Sequence, residues 1–360
     1  MIHRRAAIHS MAAAAMATPL AGCGEGGGYE QAVRETWRAH DAAPAGPAQQ
    51  HEWVRCATLA ANGHNTQPWR FALAPDAVEI EPDLARRTPV VDPDDHHLWV
   101  SLGCAAENLV QAAAADGRSA AVALAGGRVR IALGGAPQRR PPLFAAIAER
   151  QSTRADYDGQ ALAAADLHLL EAAAAEPGVH LMLLPSRPRI ERVVDLLVAG
   201  NTAQLADAAF VAELKAWIRF SAAEAQSSGD GLFSGASGSP VMPRWLGSPL
   251  MGLFLAPKSD NDHYARQIRS SSGMAVFVSE ADDRAHWIEV GRCYERFALQ
   301  ATALGIRYAF LNQPVEVGSI RPQFAAALGI GSRRPDLVVR FGRGPAMPLS
   351  MRRPVSSVLA

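Results

Sequence analysis

Two short polar segments that are far apart in the chain constrain its fold more than any other feature. The first is His64-Asn65-Thr66-Gln67-Pro68-Trp69-Arg70-Phe71, and the second is Arg150-Gln151-Ser152-Thr153-Arg154. Each segment groups side chains that suit a ligand, but each supplies only half of a site. The chain must therefore fold so that the two segments meet.

The second segment has the composition of a phosphate site. Arg150, Ser152 and Arg154 occupy alternate positions, so an extended backbone would point two guanidinium groups and one hydroxyl in the same direction. Guanidinium groups bind phosphate oxygens bidentately and keep their charge, while Ser152 and Thr153 add neutral donors. The pattern favours a phosphomonoester. The alternative is a solvated basic turn that caps the following helix.

The first segment supplies neutral amides instead of charges. Asn65 and Gln67 can each donate and accept hydrogen bonds, which suits a heterocycle edge with alternating carbonyl and N–H groups, such as a flavin pyrimidine ring. Pro68 stiffens the backbone, and Trp69 is expected to pack beneath it. The alternative is a loop in which the amide side chains satisfy nearby backbone groups.

Both segments resemble signatures of the FMN-dependent nitroreductase family. His64 to Phe71 resembles its Asn-x-Gln-Pro-Trp-x-Phe signature, and Arg150 to Arg154 is similar to its Arg-x-Ser-x-Arg/Lys phosphate signature. In that family the phosphate signature comes first, and each FMN lies between two subunits. The order is reversed here, as a fused pair would require. The resemblance therefore implies an internally duplicated chain that forms a pseudo-dimer with itself.

Further segments resemble the Acg-like branch of that family, whose members resemble a nitroreductase dimer made from one polypeptide. These segments are Arg86-Arg87-Thr88-Pro89 to Asp92-Pro93, Gly103 to Leu109, Trp287 to Arg292, Leu311 to Glu316 and Met351 to Val355. The resemblance implies an α+β nitroreductase fold made of two tandem, half-related units, with central antiparallel or mixed sheets flanked by helices. We expect a degenerate first unit at 51–140 and a second unit at 141–360, with a lid insertion at about 221–259.

The resemblance also implies which residues bind FMN. Contacts to the phosphate and the ribityl chain are expected from Arg150, Ser152, Thr153 and Arg154, together with Arg352 or Arg353. Contacts to the flavin ring are expected from Asn65 and Gln67. A backbone N–H of Asn312 or Gln313 is expected near the flavin N5. No side chain is assigned a catalytic role. His64 lies where the family usually carries hydroxyls, and it either replaces one of those contacts or is a simple loop histidine.

Each half carries only one of the two signatures. The second half has no Asn-x-Gln-Pro-Trp, and the first half has no clear Arg-x-Ser-x-Arg. We therefore expect one functional FMN site and one vestigial site per chain.

Composition excludes some other classes of function. The 360 residues are 49% hydrophobic, enough for a large core, and 35 acidic residues balance 35 basic ones, so nothing indicates nucleic-acid binding. Cys56, Cys104 and Cys293 are expected to pack in helices, without the spacing of a zinc site or a dithiol. Asp94-Asp95-His96-His97 is interpreted as a helix N-terminus, and no metal site is predicted.

The N-terminus resembles an export signal. Arg4-Arg5 precede an Ala-rich and Met-rich stretch, and Leu20-Ala21-Gly22-Cys23 resembles a bacterial lipobox. We expect a twin-arginine or lipoprotein signal at 1–22, followed by a flexible linker and an N-terminal helix at 23–50. The mature protein would then be periplasmic or anchored to a membrane through Cys23. The alternative is an unstructured tail on a cytoplasmic protein.

Periodicity predicts both helices and strands. The helices are expected at Leu98 to Ala115, Ala161 to Ala175, Ile190 to Leu205 and Trp287 to Leu304. The strands are expected at Val78 to Glu81, Val129 to Leu133, Val179 to Leu184, Met274 to Val278, Ile306 to Leu311 and Leu337 to Phe341.

Three functions are compatible with these patterns. In the first, an FMN oxidoreductase reduces a nitroaromatic, a quinone or a similar small-molecule acceptor. Its electron donor would be NAD(P)H or, because nicotinamide cofactors are cytoplasmic, a membrane donor. The second is an FMN-sequestering or storage protein with a lidded site and little turnover. The third, a lipoprotein scaffold without a flavin, would leave the arginine cluster as surface charge.

Overall fold

Two four-stranded antiparallel sheets, one from each half of the chain, determine the architecture. The computed structural model describes residues 25–40, 46–135, 143–254 and 257–360. The expected signal at 1–22 and Cys23 lie outside these residues. The prediction of an α+β fold with antiparallel sheets and flanking helices is confirmed.

The strands follow one another in the order of the chain as β1 Trp69–Ala74, β2 Ala77–Pro82, β3 Ser119–Ala125, β4 Arg128–Gly134, β5 Val179–Leu184, β6 Ile218–Arg219, β7 Leu232–Phe233, β8 Gly273–Ser279, β9 Arg307–Phe310 and β10 Pro335–Gly342. The first sheet has the order β1-β2-β4-β3 and the second has the order β5-β8-β10-β9. Strands β6 and β7 form a short parallel pair.

The first sheet has one buried face. Val129, Ile131 and Leu133 alternate with more exposed residues along β4, as expected for a strand that covers the core on one side. Gly126 and Gly127 connect β3 to β4 with positive φ angles of 58° and 78°, which a two-residue hairpin turn requires. The central strands β8 and β10 of the second sheet are buried along their whole length.

The helices are α1 Glu25–Thr36, α2 Pro47–Thr58, α3 His96–Ala115, α4 Ala164–Ala173, α5 Arg187–Ala206, α6 Ala208–Trp217, α7 Ala222–Ser228, α8 Arg244–Phe254, α9 Pro257–Arg269, α10 Arg284–Ala303, α11 Gln313–Glu316, α12 Arg321–Leu328 and α13 Val355–Val358. The four predicted helices correspond to α3, α4, α5 and α10. None of the described helices is both long enough and apolar enough to cross a membrane.

Helices α3 and α10, each of 20 residues, pack against one another at the centre of the molecule. Glycines permit the close approach: a Cβ at Gly103 would overlap the carbonyl oxygen of Ile288, and a Cβ at Gly291 would overlap that of Val100. The contact is reciprocal, as in a two-fold arrangement. Both helices also share the spacing Trp-x3-Gly-x3-Glu.

The cysteines pack as predicted. Cys56 lies in α2, Cys104 in α3 and Cys293 in α10, and all three are buried free thiols. Burial raises the pKa of the Cys56 and Cys293 thiols to about 12, so both remain protonated near neutral pH. The described cysteines are therefore structural.

The C-terminal segment returns to the first unit. Leu359 pairs with Phe71 of β1, and the Ala360 N–H donates to the Phe71 carbonyl at 2.9 Å. Arg352 donates from Nε to the Thr58 carbonyl at 2.7 Å. The C-terminal end of the chain is thereby bound to the region of α2 and β1.

Candidate functional site

A cavity of about 510 Å³ is lined by residues from both halves of the chain. Its wall combines the segment before β1, the start of α3, the segment before Tyr157, the turn after β9, and Arg352 near the C-terminus. Residues 207–254, which overlap the lid insertion expected at about 221–259 and are called the lid segment for that reason, contribute apolar side chains that include Phe210, Phe220 and Met251. The volume is within the range typical of small-molecule sites.

One end of the cavity is cationic. Arg150, Ser152 and Arg154 all line it. Arg150 is buried, and its Nε lies 3.1 Å from Oε1 of Glu295 while Nη2 donates to the Leu59 carbonyl at 2.9 Å. Arg150 therefore has a carboxylate that balances its charge and one carbonyl acceptor within the protein.

Arg154 and Ser152 differ from Arg150 because their side-chain hydrogen-bond donors have no acceptor among the described residues. No carboxylate or hydrogen-bond acceptor in the described part of the chain engages the Arg154 guanidinium. Burial lowers the pKa of Arg154, and nearby Arg340 lowers it further. The Ser152 Oγ is buried without a partner among the described residues. An anion at this end would satisfy both groups.

Thr153 points away from the cavity. It is fully buried, its hydroxyl donates to Oε1 of Gln151 at 3.2 Å, and its N–H donates to the Tyr308 carbonyl at 2.8 Å. Because residues 150–154 are extended beside β9, positions 150, 152 and 154 face the cavity and position 153 faces the core.

The signature amides contact protein where flavin contacts were expected. Asn65 Nδ2 donates to the Gly231 carbonyl at 2.9 Å, and Gln67 Nε2 donates to the Gly229 carbonyl at 2.8 Å. Gln67 Oε1 also accepts from the Arg353 N–H at 2.8 Å. Gln67 is fully buried and does not line the cavity. The structure thus differs from the expectation for Gln67, because its amide holds the lid segment and the C-terminal segment.

Asn65 retains one free group. It lines the cavity, and its Oδ1 is buried without a partner within the described chain. His64, Asn65 and Gln67 have positive φ angles of 50°, 53° and 53°, a conformation that costs energy in residues other than glycine. The surrounding contacts hold this strained turn against the cavity.

His64 lines the cavity and is influenced by the charges of Arg154 and His97. Burial lowers the pKa of His64 to about 4, and the charge of Arg154 and the neighbouring His97 lower it in the same direction. The imidazole is therefore neutral at physiological pH and can accept a hydrogen bond.

Asn312 and Gln313 line the cavity directly after β9. The Asn312 side chain accepts from the Val338 N–H at 2.9 Å, and the Gln313 side chain accepts from the Tyr264 hydroxyl. The backbone N–H groups of both residues have no acceptor among the described residues. Both residues therefore keep an unused backbone donor at the cavity wall.

The two C-terminal arginines differ in position. Arg352 lines the cavity, and burial, together with the charge of Arg150, lowers its pKa to about 9. Arg353 does not line the cavity, and its Nη2 donates to the Ser357 carbonyl at 2.8 Å. Of the two arginines expected as alternatives, the structure brings Arg352 to the cavity.

The cavity wall also holds residues that the motif analysis did not assign. Asp92, His97 and Glu316 line it, and Gln204 Nε2 donates to Glu316 Oε2 at 2.6 Å. Burial raises the pKa of Glu316. The segments that contain Asp92 and Glu316 carried part of the family resemblance, but their sequence spacing does not reveal that both carboxylates line one cavity.

The lid segment is attached by a buried carboxylate. Asp230 is 8% exposed and pairs with Arg86 and, at 2.6 Å, with Arg219. Arg86 also donates to the Thr66 carbonyl at 2.5 Å. The Asp230 carboxylate therefore connects the lid segment to the turn that carries Asn65.

Comparison with known proteins gives a consistent sequence relationship. Two proteins from two strains of Mycobacterium tuberculosis, both named as putative NAD(P)H nitroreductases, are each 26% identical to this chain over 314 residues. The aligned region covers 82% of this chain and 86% of each relative. No protein-family model matches the chain.

Solved nitroreductases are also similar, at lower identity. One from Bacteroides fragilis with bound FMN is 16% identical, with a TM-score of 0.35, over 59% of this chain and 94% of its own. An FMN-dependent nitroreductase from Mycobacterium smegmatis in complex with NADPH is 13% identical, with a TM-score of 0.37, over 55% of this chain and 86% of its own. These TM-scores are low, and the fold assignment is therefore made from the strands and helices of this chain. Over most of its length, the sequence is similar to the putative NAD(P)H nitroreductases.

Proposed function

We propose that the chain is an FMN-dependent oxidoreductase that reduces nitroaromatic or quinone-type acceptors and binds one FMN in the cavity between its two units. The observation that carries the proposal is the cationic end of the cavity, where the Arg154 guanidinium and the Ser152 hydroxyl have no partner in the described chain. A phosphate would satisfy both groups.

The remaining wall suits the rest of that cofactor. The free N–H groups of Asn312 and Gln313 would lie toward the redox-active ring edge, where an N–H donor stabilises negative charge on the reduced ring. The unpartnered Asn65 Oδ1 would accept a hydrogen bond. The bound flavin would supply the redox chemistry, while these residues would orient it and the apolar lid residues would exclude water.

NAD(P)H is the first candidate for the electron donor, because the mycobacterial relatives are named for it. The test is the visible absorption spectrum of the purified full chain under anaerobic conditions, recorded with and without NADPH. Bleaching of a flavin spectrum that recovers when a nitroaromatic or quinone is added supports the reductase. A flavin that dithionite reduces but NADPH and a quinol do not would favour storage.

Internal duplication is proposed on two observations. Each half contributes one four-stranded antiparallel sheet, and α3 and α10 share a reciprocal glycine contact and the spacing Trp-x3-Gly-x3-Glu. The second flavin site of such a pseudo-dimer would be vestigial, because each half carries only one of the two signatures.

Export is proposed on the N-terminal sequence alone. Lipidation of Cys23 would place the mature protein on a membrane. Mass spectrometry of the membrane-associated protein tests this, with Cys23→Ala as the control. An unmodified, uncleaved N-terminus would contradict it.

A further inference from the structure

A group of metal-ligating side chains lies at the start of α3, beside the cavity. Asp92, His96 and His97 each place one potential ligand atom within 4.8 Å of the others. Glu316, from α11, brings its Oε1 to 3.7 Å from Nδ1 of His97. The three clustered side chains come from one short segment, and Glu316, from a distant part of the chain, approaches this cluster at His97.

His96 provides an independent indication of a missing ligand. Its side chain is fully buried, and Nε2 lies 2.9 Å from Oδ1 of Asp336. If that contact is a hydrogen bond to the Asp336 carboxylate, Nε2 carries the hydrogen and Nδ1 carries a lone pair. Nδ1 has no partner among the described residues. A histidine oriented by a carboxylate through one nitrogen is the usual arrangement for metal binding through the other.

The separation of His97 and Glu316 also suits an ion. At 3.7 Å, Nδ1 and Oε1 are too far apart for a hydrogen bond. Two ligands about 2.0–2.2 Å from a tetrahedral zinc ion lie about 3.4 Å apart, so a small adjustment would place an ion between them. Gln204 donates to the other oxygen of Glu316 and leaves Oε1 available.

The remaining polar contacts are compatible with coordination. The Asp92 oxygens accept from the backbone N–H groups of His97 and Leu98 at 3.0 and 2.9 Å, which orients the carboxylate and leaves further lone pairs. The nearby Arg334 is paired with Asp94 at 2.5 Å and with Asp282 at 3.3 Å. These carboxylates offset its repulsion of a cation.

We propose that Asp92, His96, His97 and Glu316 bind a divalent transition-metal ion at the wall of the cavity. The nitrogen and oxygen ligand set suits zinc and its neighbours in the first transition row. Because Asp92, His97 and Glu316 line the cavity, a bound ion would face the same space as the proposed flavin. The inference does not depend on the flavin proposal.

Cobalt(II) is the probe, because its visible absorption reports coordination by nitrogen and oxygen ligands. Metal-free full-length protein, without flavin, is titrated with Co²⁺ at about pH 7.5 and then with Zn²⁺. We expect one Co²⁺ per chain, with the intense bands of a four-coordinate or five-coordinate site, and complete displacement by Zn²⁺. Weak binding with the spectrum of hydrated Co²⁺ would overturn the proposal.

Variants locate the site. His97→Ala and Glu316→Gln should each weaken Co²⁺ binding at least about tenfold, as expected when a ligand or its support is lost. His286→Ala is the matched control, since this histidine lies near the start of α10 beside Asp283 without a second carboxylate. Binding that is unchanged in both His97→Ala and Glu316→Gln would reject this assignment. Circular dichroism and the melting temperature verify that each variant is folded.

Discussion

The two central helices place the same residue in two different electrostatic environments. Glu107 of α3 and Glu295 of α10 each follow a tryptophan by eight residues, and both are buried. Glu107 is paired with Arg292 at 3.2 Å and Arg296 at 3.1 Å. Glu295 pairs with Arg150 at 3.1 Å, at the edge of the cavity.

The difference lies in the surrounding charge. Near Glu107, the two arginines are also paired with Glu176 and Glu289, so three carboxylates surround two guanidinium groups and no positive charge is left over. Near Glu295, the cavity wall includes Arg352 and Arg154 without carboxylate partners of their own in the described chain. The comparison indicates that one region is completed by protein groups, whereas the other has a surplus of positive charge that an anionic ligand would balance.

The largest difference should appear when each buried glutamate loses an arginine. Arg150→Met leaves Glu295 without its partner, and we expect the free energy of unfolding to fall by about 3–5 kcal/mol. Arg292→Met leaves Arg296 on Glu107, so we expect a smaller loss of about 1.5–3 kcal/mol, the value of a hydrogen bond to a charged group. Urea denaturation measures both. Equal losses would show that the two environments do not differ as described.

The next effect concerns ligand binding. Arg154→Met removes the unpaired guanidinium, and we expect FMN affinity to fall by about 1.5–3 kcal/mol, the value of a hydrogen bond to a charged group. Because Arg154 has no partner within the described chain, the unfolding free energy should change little. Fluorescence titration with FMN measures the affinity, and Arg292→Met is the control that should bind normally. Unchanged affinity in Arg154→Met would place the phosphate elsewhere.

A smaller effect is expected from loosening the lid segment. Asp230→Asn weakens the pairing with Arg86 and Arg219, and FMN should dissociate about tenfold faster because the lid segment opens more often. Stopped-flow fluorescence measures the rate. Glu191→Gln is the matched control, since Glu191 also lies between two arginines, Arg187 and Arg269, but is exposed on α5. A similar rate in both variants would argue against a lid.

The smallest expected effect is a pH dependence. The pKa of His64 is lowered to about 4 in the folded protein, so the unfolded chain binds a proton first as pH falls below about 6.5. The unfolding free energy should therefore decrease by about 1 kcal/mol between about pH 6.5 and about pH 5.5. Urea denaturation at several pH values measures this decrease. It should be absent in His64→Gln and present in His180→Gln, which changes an exposed histidine.

The sequence predicted the second sheet better than the first. The apolar run Val179 to Leu184 became β5 with the expected bounds, because such runs favour buried strands. The alanine-rich strand β3 was not predicted, since alanine favours helices. Its pairing with β4 across the Gly126-Gly127 turn outweighs that preference.

In the candidate site as well, the sequence predicted local features but not contacts between distant segments. The alternation of Arg150, Ser152 and Arg154 predicted which side chains share a direction, because that spacing is local. The contacts of Gln67 with Gly229 and with the Arg353 N–H join residues more than 160 positions apart, and no local pattern reports them. The resemblance therefore located the correct segments without distinguishing a ligand contact from a contact that holds the lid segment.

The most direct test of the account is the number of FMN molecules that one chain binds. Apoprotein of known concentration is titrated with FMN, and bound flavin is counted by absorbance after gel filtration. The account predicts one FMN per chain, with binding weakened in Arg154→Met and normal in Arg292→Met. Two FMN molecules per chain would contradict the difference between the Glu107 and Glu295 regions, and no bound FMN would contradict the cofactor assignment itself.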